Sequence, residues 1–191
     1  MSTKTQKVIA IVISHVLDPF VTIGMASIIG VFLSGLNADL IMPYLLVILF
    51  GTFVPLVLLR YFAVKNKKID DWDIKKRKQR FLPLAVLLIF LLVHVVIARF
   101  FINEFLINFT MLLIVWVAGI LFITLFWKIS GHTGAAMLAA GLFIRWFGWG
   151  WWLIFLIVPL VSWARVVRKD HSVYQVVAGI LYSGVILFFS R

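Results

Sequence analysis

FLPLAVLLIFLLVHVVIARFF, residues 81–101, holds a single charged side chain, Arg99, in 21 positions. A water-facing helix of this length would need a polar face, and this stretch has none. About 20 apolar residues are what a helix needs to cross the ~30 Å hydrocarbon core of a bilayer. Helix is also the form in which such a segment satisfies its own backbone there. Working outward, comparable stretches lie at 8–33, 41–64, 106–126, 134–147, 151–164 and 172–189. The sequence therefore predicts an all-α fold, a polytopic membrane bundle of six to seven transmembrane helices, with residues 1–191 forming one integral membrane domain. The shortest stretches, 134–147 and 151–164, separate six from seven. Lys4 and Lys7 before the first stretch resemble the start of a signal peptide. The stretch is too long for one and contains Asp18-Pro19, so it reads as a retained, interrupted helix.

Composition agrees. Of 191 residues, 64% are hydrophobic, which leaves too little polar surface for a water-facing particle and excludes disorder. Zero Cys removes disulfides, thiolate metal sites and cysteine nucleophiles. Lys plus Arg outnumber Asp plus Glu by 18 to 7, a net charge of +11. On an apolar chain that excess points to anionic lipid or phosphate partners and not to nucleic acid.

The cations are segregated. Between the second and third stretches runs KNKKIDDWDIKKRKQR, residues 65–80, and the 65–81 loop it forms is the main polar segment. Seven crossings would bring the N-terminus, this loop, the 128–132 turn and the 165–171 loop to one face. That face would collect 15 of the 18 cations, leaving Arg99, Arg145 and Arg191 on the other. The positive-inside rule puts the crowded face in the cytoplasm, here of a bacterial or archaeal plasma membrane. Trp146, Trp149, Trp151 and Trp152 gather near one end of the crossings and Trp72, Trp127 and Trp163 near the other, as indoles do at headgroup layers.

Three segments of the basic face carry chemistry. The first is Lys76-Arg77-Lys78-Gln79-Arg80, the second Lys128-Ile129-Ser130-Gly131-His132, and the third Arg165-x5-His171-x3-Gln175. Arg groups bind phosphate oxygens bidentately. Ser130 and Gly131 are placed to open a helix, whose free N–H groups favour an anion. Gln175 lies one helical turn beyond His171, so its carbonyl can accept from the imidazole Nδ1–H and leave Nε2 free to attack. His132 can then protonate a leaving oxygen.

In these residues the chain resembles the type 2 phosphatidate phosphatase superfamily, the lipid phosphate phosphatases that share an active site with vanadium haloperoxidases. That family's motifs are K-x6-R-P, P-S-G-H and S-R-x5-H-x3-D. Ile129-Ser130-Gly131-His132 matches three of four positions of the second motif, and Ala164-Arg165-x5-His171-x3-Gln175 keeps the Arg and His of the third. The first motif is looser, with Arg80 followed by Phe81-Leu82-Pro83 and Asp73 where the family has Lys; Lys76 or Arg77 would substitute. The resemblance implies His171 as nucleophile and His132 as general acid. It implies Arg165, Arg80, Ser130 and Gly131 as phosphate ligands, with Lys76 or Arg77 as auxiliaries; Lys128, two residues before Ser130, either marks the helix end or reaches the same phosphate. It implies no metal and no other cofactor. The substrate would be a lipid phosphomonoester or diphosphate, such as phosphatidate, phosphatidylglycerol phosphate or a polyprenyl diphosphate.

The chain departs from the family at Gln175, where the family has Asp. One reading is a slower phosphatase; the other is a non-catalytic lipid-phosphate binder or transporter. Asp18, inside an apolar helix, has two readings as well. It pairs with His15 beside a Pro19 kink, or it supplies the missing acid near Arg165 or His171. Asp70, Asp71 and Asp73 invite a divalent cation, which the surrounding lysines oppose. His94 and Arg99 read as packing and snorkelling groups.

Overall fold

The computed structural model describes residues 3–70, 72–74 and 76–190. Asp71, Lys75 and Arg191 lie outside them. The described residues form helices and no strands. Five helical segments are long and apolar enough to cross a membrane: Lys4–Leu33, Ala38–Lys65, Arg77–Phe100, Glu104–Phe126 and Trp149–Val167; Val173–Phe189 is a shorter apolar helix. Phe122, Phe126, Leu181 and Phe188 are among many large apolar side chains left exposed. That is the surface a bilayer covers and water would not.

The chain divides into two compact units, one made of Met1–Ser27 with Ile129–Arg191 and the other of Ile28–Lys128. In the first unit, α1 (Thr3–Val16) stops before Asp18-Pro19, and α2 (Pro19–Leu33) begins there. Proline has no N–H to donate and fits the first turn of a helix, so the break falls where the sequence puts it. The Asp18 Oδ1 accepts from the Phe20 N–H at 2.9 Å and caps α2.

The middle of this unit is α7 (Gly131–Phe147), whose Ala135, Ala136, Leu138 and Ala140 are fully buried. Small side chains let neighbouring backbones approach, which is how membrane helices pack. Ala136 and Ala140 meet Val158 and Val161 of α8 (Ile157–Val167), with Ile13 and Leu17 against the same cluster. Gly148, at φ +86°, ends α7 in a conformation a side chain would strain. A 3-10 segment, Trp149–Leu156, then leads into α8 with Trp149, Trp151 and Trp152 exposed. After α9 (Val173–Phe189) the Arg145 guanidinium closes the helix end by donating to the Leu187 and Ser190 carbonyls.

In the second unit, α3 (Ala38–Ile48) and α4 (Val54–Lys65) are joined by a π-helical turn, Leu49–Phe53. Pro55 cannot donate to the preceding turn, and the wider turn absorbs the mismatch. The Thr52 hydroxyl freed there pairs with the buried His94 ring of α5 (Phe81–Phe100). That agrees with His94 as a packing group. α5 lies along α6 (Glu104–Phe126), whose N-terminus Asn103 caps by accepting from the Leu106 N–H at 2.9 Å. Tyr44, Val31, Ala98 and Leu106 form the core at that end.

Candidate functional site

Two close approaches in the first unit build the site. Ser130 caps α7 by accepting from the Thr133 N–H at 3.5 Å, and its own N–H donates to the Gln175 carbonyl of α9 at 3.1 Å. The Thr133 hydroxyl donates to the carbonyls of Ser130 and Val176, 3.2 Å from each. Gly179 makes this approach fit: a Cβ there would lie 2.5 Å from the Ser130 carbonyl oxygen and 2.7 Å from Thr133 Oγ1. Neither is the end of a flexible chain, so α9 would have to move. Gly179→Ala is expected to cost about 1–3 kcal/mol as an overpacked position. Thermal melting in detergent checks it, and the variant should melt below the wild type.

The spacing Arg165-x5-His171 is produced by a tight reversal between α8 and α9. The Asp170 and His171 N–H groups both donate back to the Arg165 carbonyl, at 3.1 and 3.4 Å. Lys169 adopts φ +59° to allow it. Ser172 then opens α9 with a capping box: its hydroxyl accepts from the Gln175 N–H, and the Gln175 side chain accepts from the Ser172 N–H.

These elements bring His132, Arg165, His171, Gln175, Ser130 and Gly131 together in one unit. Arg165 is completely buried, and His132 and His171 nearly so. The His171 Nδ1 lies 3.1 Å from the Gln175 Oε1. An amide oxygen only accepts, so this contact puts the proton on Nδ1 and makes Nε2 the unprotonated ring nitrogen. The Arg165 guanidinium has one nitrogen 3.5 Å from the His132 Nε2 and another 3.1 Å from the Asp170 carboxylate. The same Asp170 oxygen is 2.9 Å from the Arg168 Nε. Asp170 thus bridges two arginines and fixes the buried one.

Asp18 is also buried, with its Oδ2 3.6 Å from the His132 Nε2. The expected pair with His15 does not form, since His15 is exposed and Asp18 is not. The helix breaks between them, so their spacing no longer puts them on one face. The carboxylate meets His132, the ring that Arg165 also approaches.

The remaining sequence candidates lie in the second unit, where Arg77, Arg80 and Lys76 have structural partners. Arg77 donates to the Thr124 and Leu125 carbonyls, closing the C-terminal end of α6. The Arg80 Nε donates to the Ile74 carbonyl at 2.8 Å. Lys76 pairs with Asp70 at 2.8 Å on the surface, and its hydrogen bond holds the Asp70 carboxyl below the usual carboxylate range. Lys128 is half-buried at the end of the unit. The buried Arg60 lies over the Trp72 ring at 4.5 Å and donates to the Trp72 carbonyl.

Two participants lie outside the sequence candidates, and each has a local signal. Asp170 is the one acid between Arg165 and His171, and a buried arginine needs such a partner. Ser172-x-x-Gln175 before an apolar run is the pattern of a capping box. Comparison with protein families, with curated proteins and with solved structures gives no match for this chain.

Proposed function

We propose that the protein is a membrane-embedded lipid phosphatase or phosphotransferase that works through a phosphohistidine on His171. The observation carrying this reading is the His171 Nδ1 held against Gln175 Oε1 at 3.1 Å, in the same unit as His132 and the buried Arg165. A phosphate would bind the Arg165 guanidinium and the first N–H groups of α7, whose dipole favours an anion. A Cβ built at Gly131 would meet no atom within 4 Å, so the backbone there is open to an oxygen. The His171 Nε2 attacks phosphorus, an N–P bond forms and the P–O bond to the lipid breaks. The leaving oxygen takes a proton from His132. Water then cleaves the N–P bond, giving its proton to His132 and restoring both histidines. These steps require no metal.

The reading extends to the membrane. Helices α7 and α9, of 17 residues each, rise about 25 Å, close to the ~30 Å core. With the five longer segments they make seven crossings. The positive-inside rule assigns the end bearing Arg165, Arg168 and Lys169 to the cytoplasm. The test is phosphate release by detergent-purified protein over phosphatidate, phosphatidylglycerol phosphate and polyprenyl diphosphates. Release from at least one supports the reading, and release from none opposes it.

A second reading, a lipid-phosphate binder without turnover, is favoured by one feature. Gln175 is a neutral amide already used in the capping box of α9, so it brings no charge to the imidazole. Saturable binding of a lipid phosphate with no release would select it.

A further inference from the structure

We propose that Asp18 is a positioning residue for His132, supplying to the acid of the reaction the negative charge that Gln175 does not supply to the nucleophile. The inference rests on the phosphatase reading above and assigns the acid's partner within it.

Three influences from this unit act on the His132 ring. As the second residue of α7, it sits where the helix dipole opposes a cation. The Arg165 guanidinium, 3.5 Å from Nε2, opposes one as well. The Asp18 carboxylate, 3.6 Å from the same nitrogen, favours one. Within this unit, Asp170 is shared between Arg165 and Arg168 at 3.1 and 2.9 Å. Asp18 is therefore the carboxylate facing the imidazole in this unit.

The distance suits the role. At 3.6 Å the attraction between carboxylate and imidazolium is retained, but the contact is too long to be a hydrogen bond. Asp18 therefore acts on the ring through its charge. The fold also spends a buried acid and a helix break to deliver this group. The other oxygen, Oδ1, caps α2 through Phe20, a task that a neutral cap would do as well. The charge is what the cap does not explain.

Asp18→Asn separates the two tasks, because Asn caps a helix as well as Asp does and removes only the charge. Purified wild-type, Asp18→Asn and Asp18→Glu proteins are assayed on dioctanoyl phosphatidate, whose alkoxide must be protonated as it leaves, and on p-nitrophenyl phosphate, whose phenolate needs no acid. For Asp18→Asn we expect kcat on phosphatidate to fall about 10²-fold, the lower range for general acid catalysis. KM should stay within about twofold and p-nitrophenyl phosphate turnover within about threefold, and Glu should restore most of the loss. An equal fall on both substrates, or no fall on either, overturns the proposal.

If the wild type cleaves neither substrate, the phosphatase reading fails and the Asp18 contact is read directly. Ring ¹⁵N shifts of labelled histidines, with His132 assigned through His132→Ala, report whether that imidazole is charged. Charged in wild type and neutral in Asp18→Asn supports the proposal. The same state in both overturns it.

Discussion

Purified His171→Ala protein is expected to release no measurable phosphate from the lipid substrate that the wild type cleaves. The reasoning is geometric. The Gln175 Oε1, at 3.1 Å, orients the imidazole through Nδ1, and the unprotonated nitrogen, Nε2, is the only atom of that side chain able to attack phosphorus. Removing a nucleophile of this kind costs about 10⁶ in turnover in a serine protease, and a loss of comparable order is expected here. The fold should survive. Ser172 and Gln175 form the α9 cap through groups that do not include the His171 ring, and Arg165 keeps its partner Asp170. Phosphate assay and thermal melting together check this: turnover gone, melting temperature lowered by no more than a small buried truncation produces. Binding of the lipid phosphate should persist, since Arg165 and the α7 N-terminus are untouched.

The second large effect runs the other way. Gln175→Glu is expected to raise turnover by about 10²-fold or more, toward the ~10⁴ that separates a carboxylate from its amide behind a catalytic histidine in another enzyme. As His171 attacks, positive charge develops on its ring. A carboxylate on Nδ1 stabilises that charge, whereas the amide only holds the tautomer. Glutamate keeps the length that places Oε1 on both Nδ1 and the Ser172 N–H. It is also the other residue that completes a capping box at this position. Aspartate is one methylene shorter and is not a capping-box residue at this position. Position 175 is half-buried, so the added charge retains access to solvent. A rise in kcat with little change in KM identifies a weakened catalytic site. Unchanged zero turnover in both forms, with lipid phosphate still bound, identifies the binder.

The fold was legible to the extent that hydrophobic length decides it. Residues 81–101 and 106–126 read as crossings and are the helices α5 and α6, within a residue or two at their ends. Asp18-Pro19 marked a break that separates α1 from α2. The π turn at Leu49–Phe53 was not visible, because Pro55 marks a disturbance without saying that a wider turn absorbs it, and the packing of Thr52 against His94 is long-range. Nor does hydropathy show that α7, with most of its first half buried, is the central helix of its unit. That follows from its alanines and from Gly179 meeting Ser130 across the sequence.

The site divides in the same way. Short-range relations were readable: His171 and Gln175 share a helical turn, and their hydrogen bond forms. Ser130 and Gly131 open a helix as expected. Long-range pairings were not. Nothing local says whether the Asp18 carboxylate finds His15, His132 or His171, because the choice is made by how the helices of the first unit pack around α7. The roles of single cations in a run were equally hidden. Arg77 and Arg80 differ from their neighbours only in which carbonyls lie within reach.

Turnover through His171 passes through a covalent phosphoryl group on its ring. The direct measurement is a rapid quench of the purified protein with ³²P-labelled lipid phosphate, followed by mapping of the labelled peptide. The account predicts a base-stable, acid-labile label on the peptide containing His171, higher in His132→Ala, where departure of the lipid oxygen and arrival of water lose their proton donor and acceptor unequally, and absent from His171→Ala. Phosphate release by His171→Ala at the wild-type rate, or a label on another residue, would contradict it.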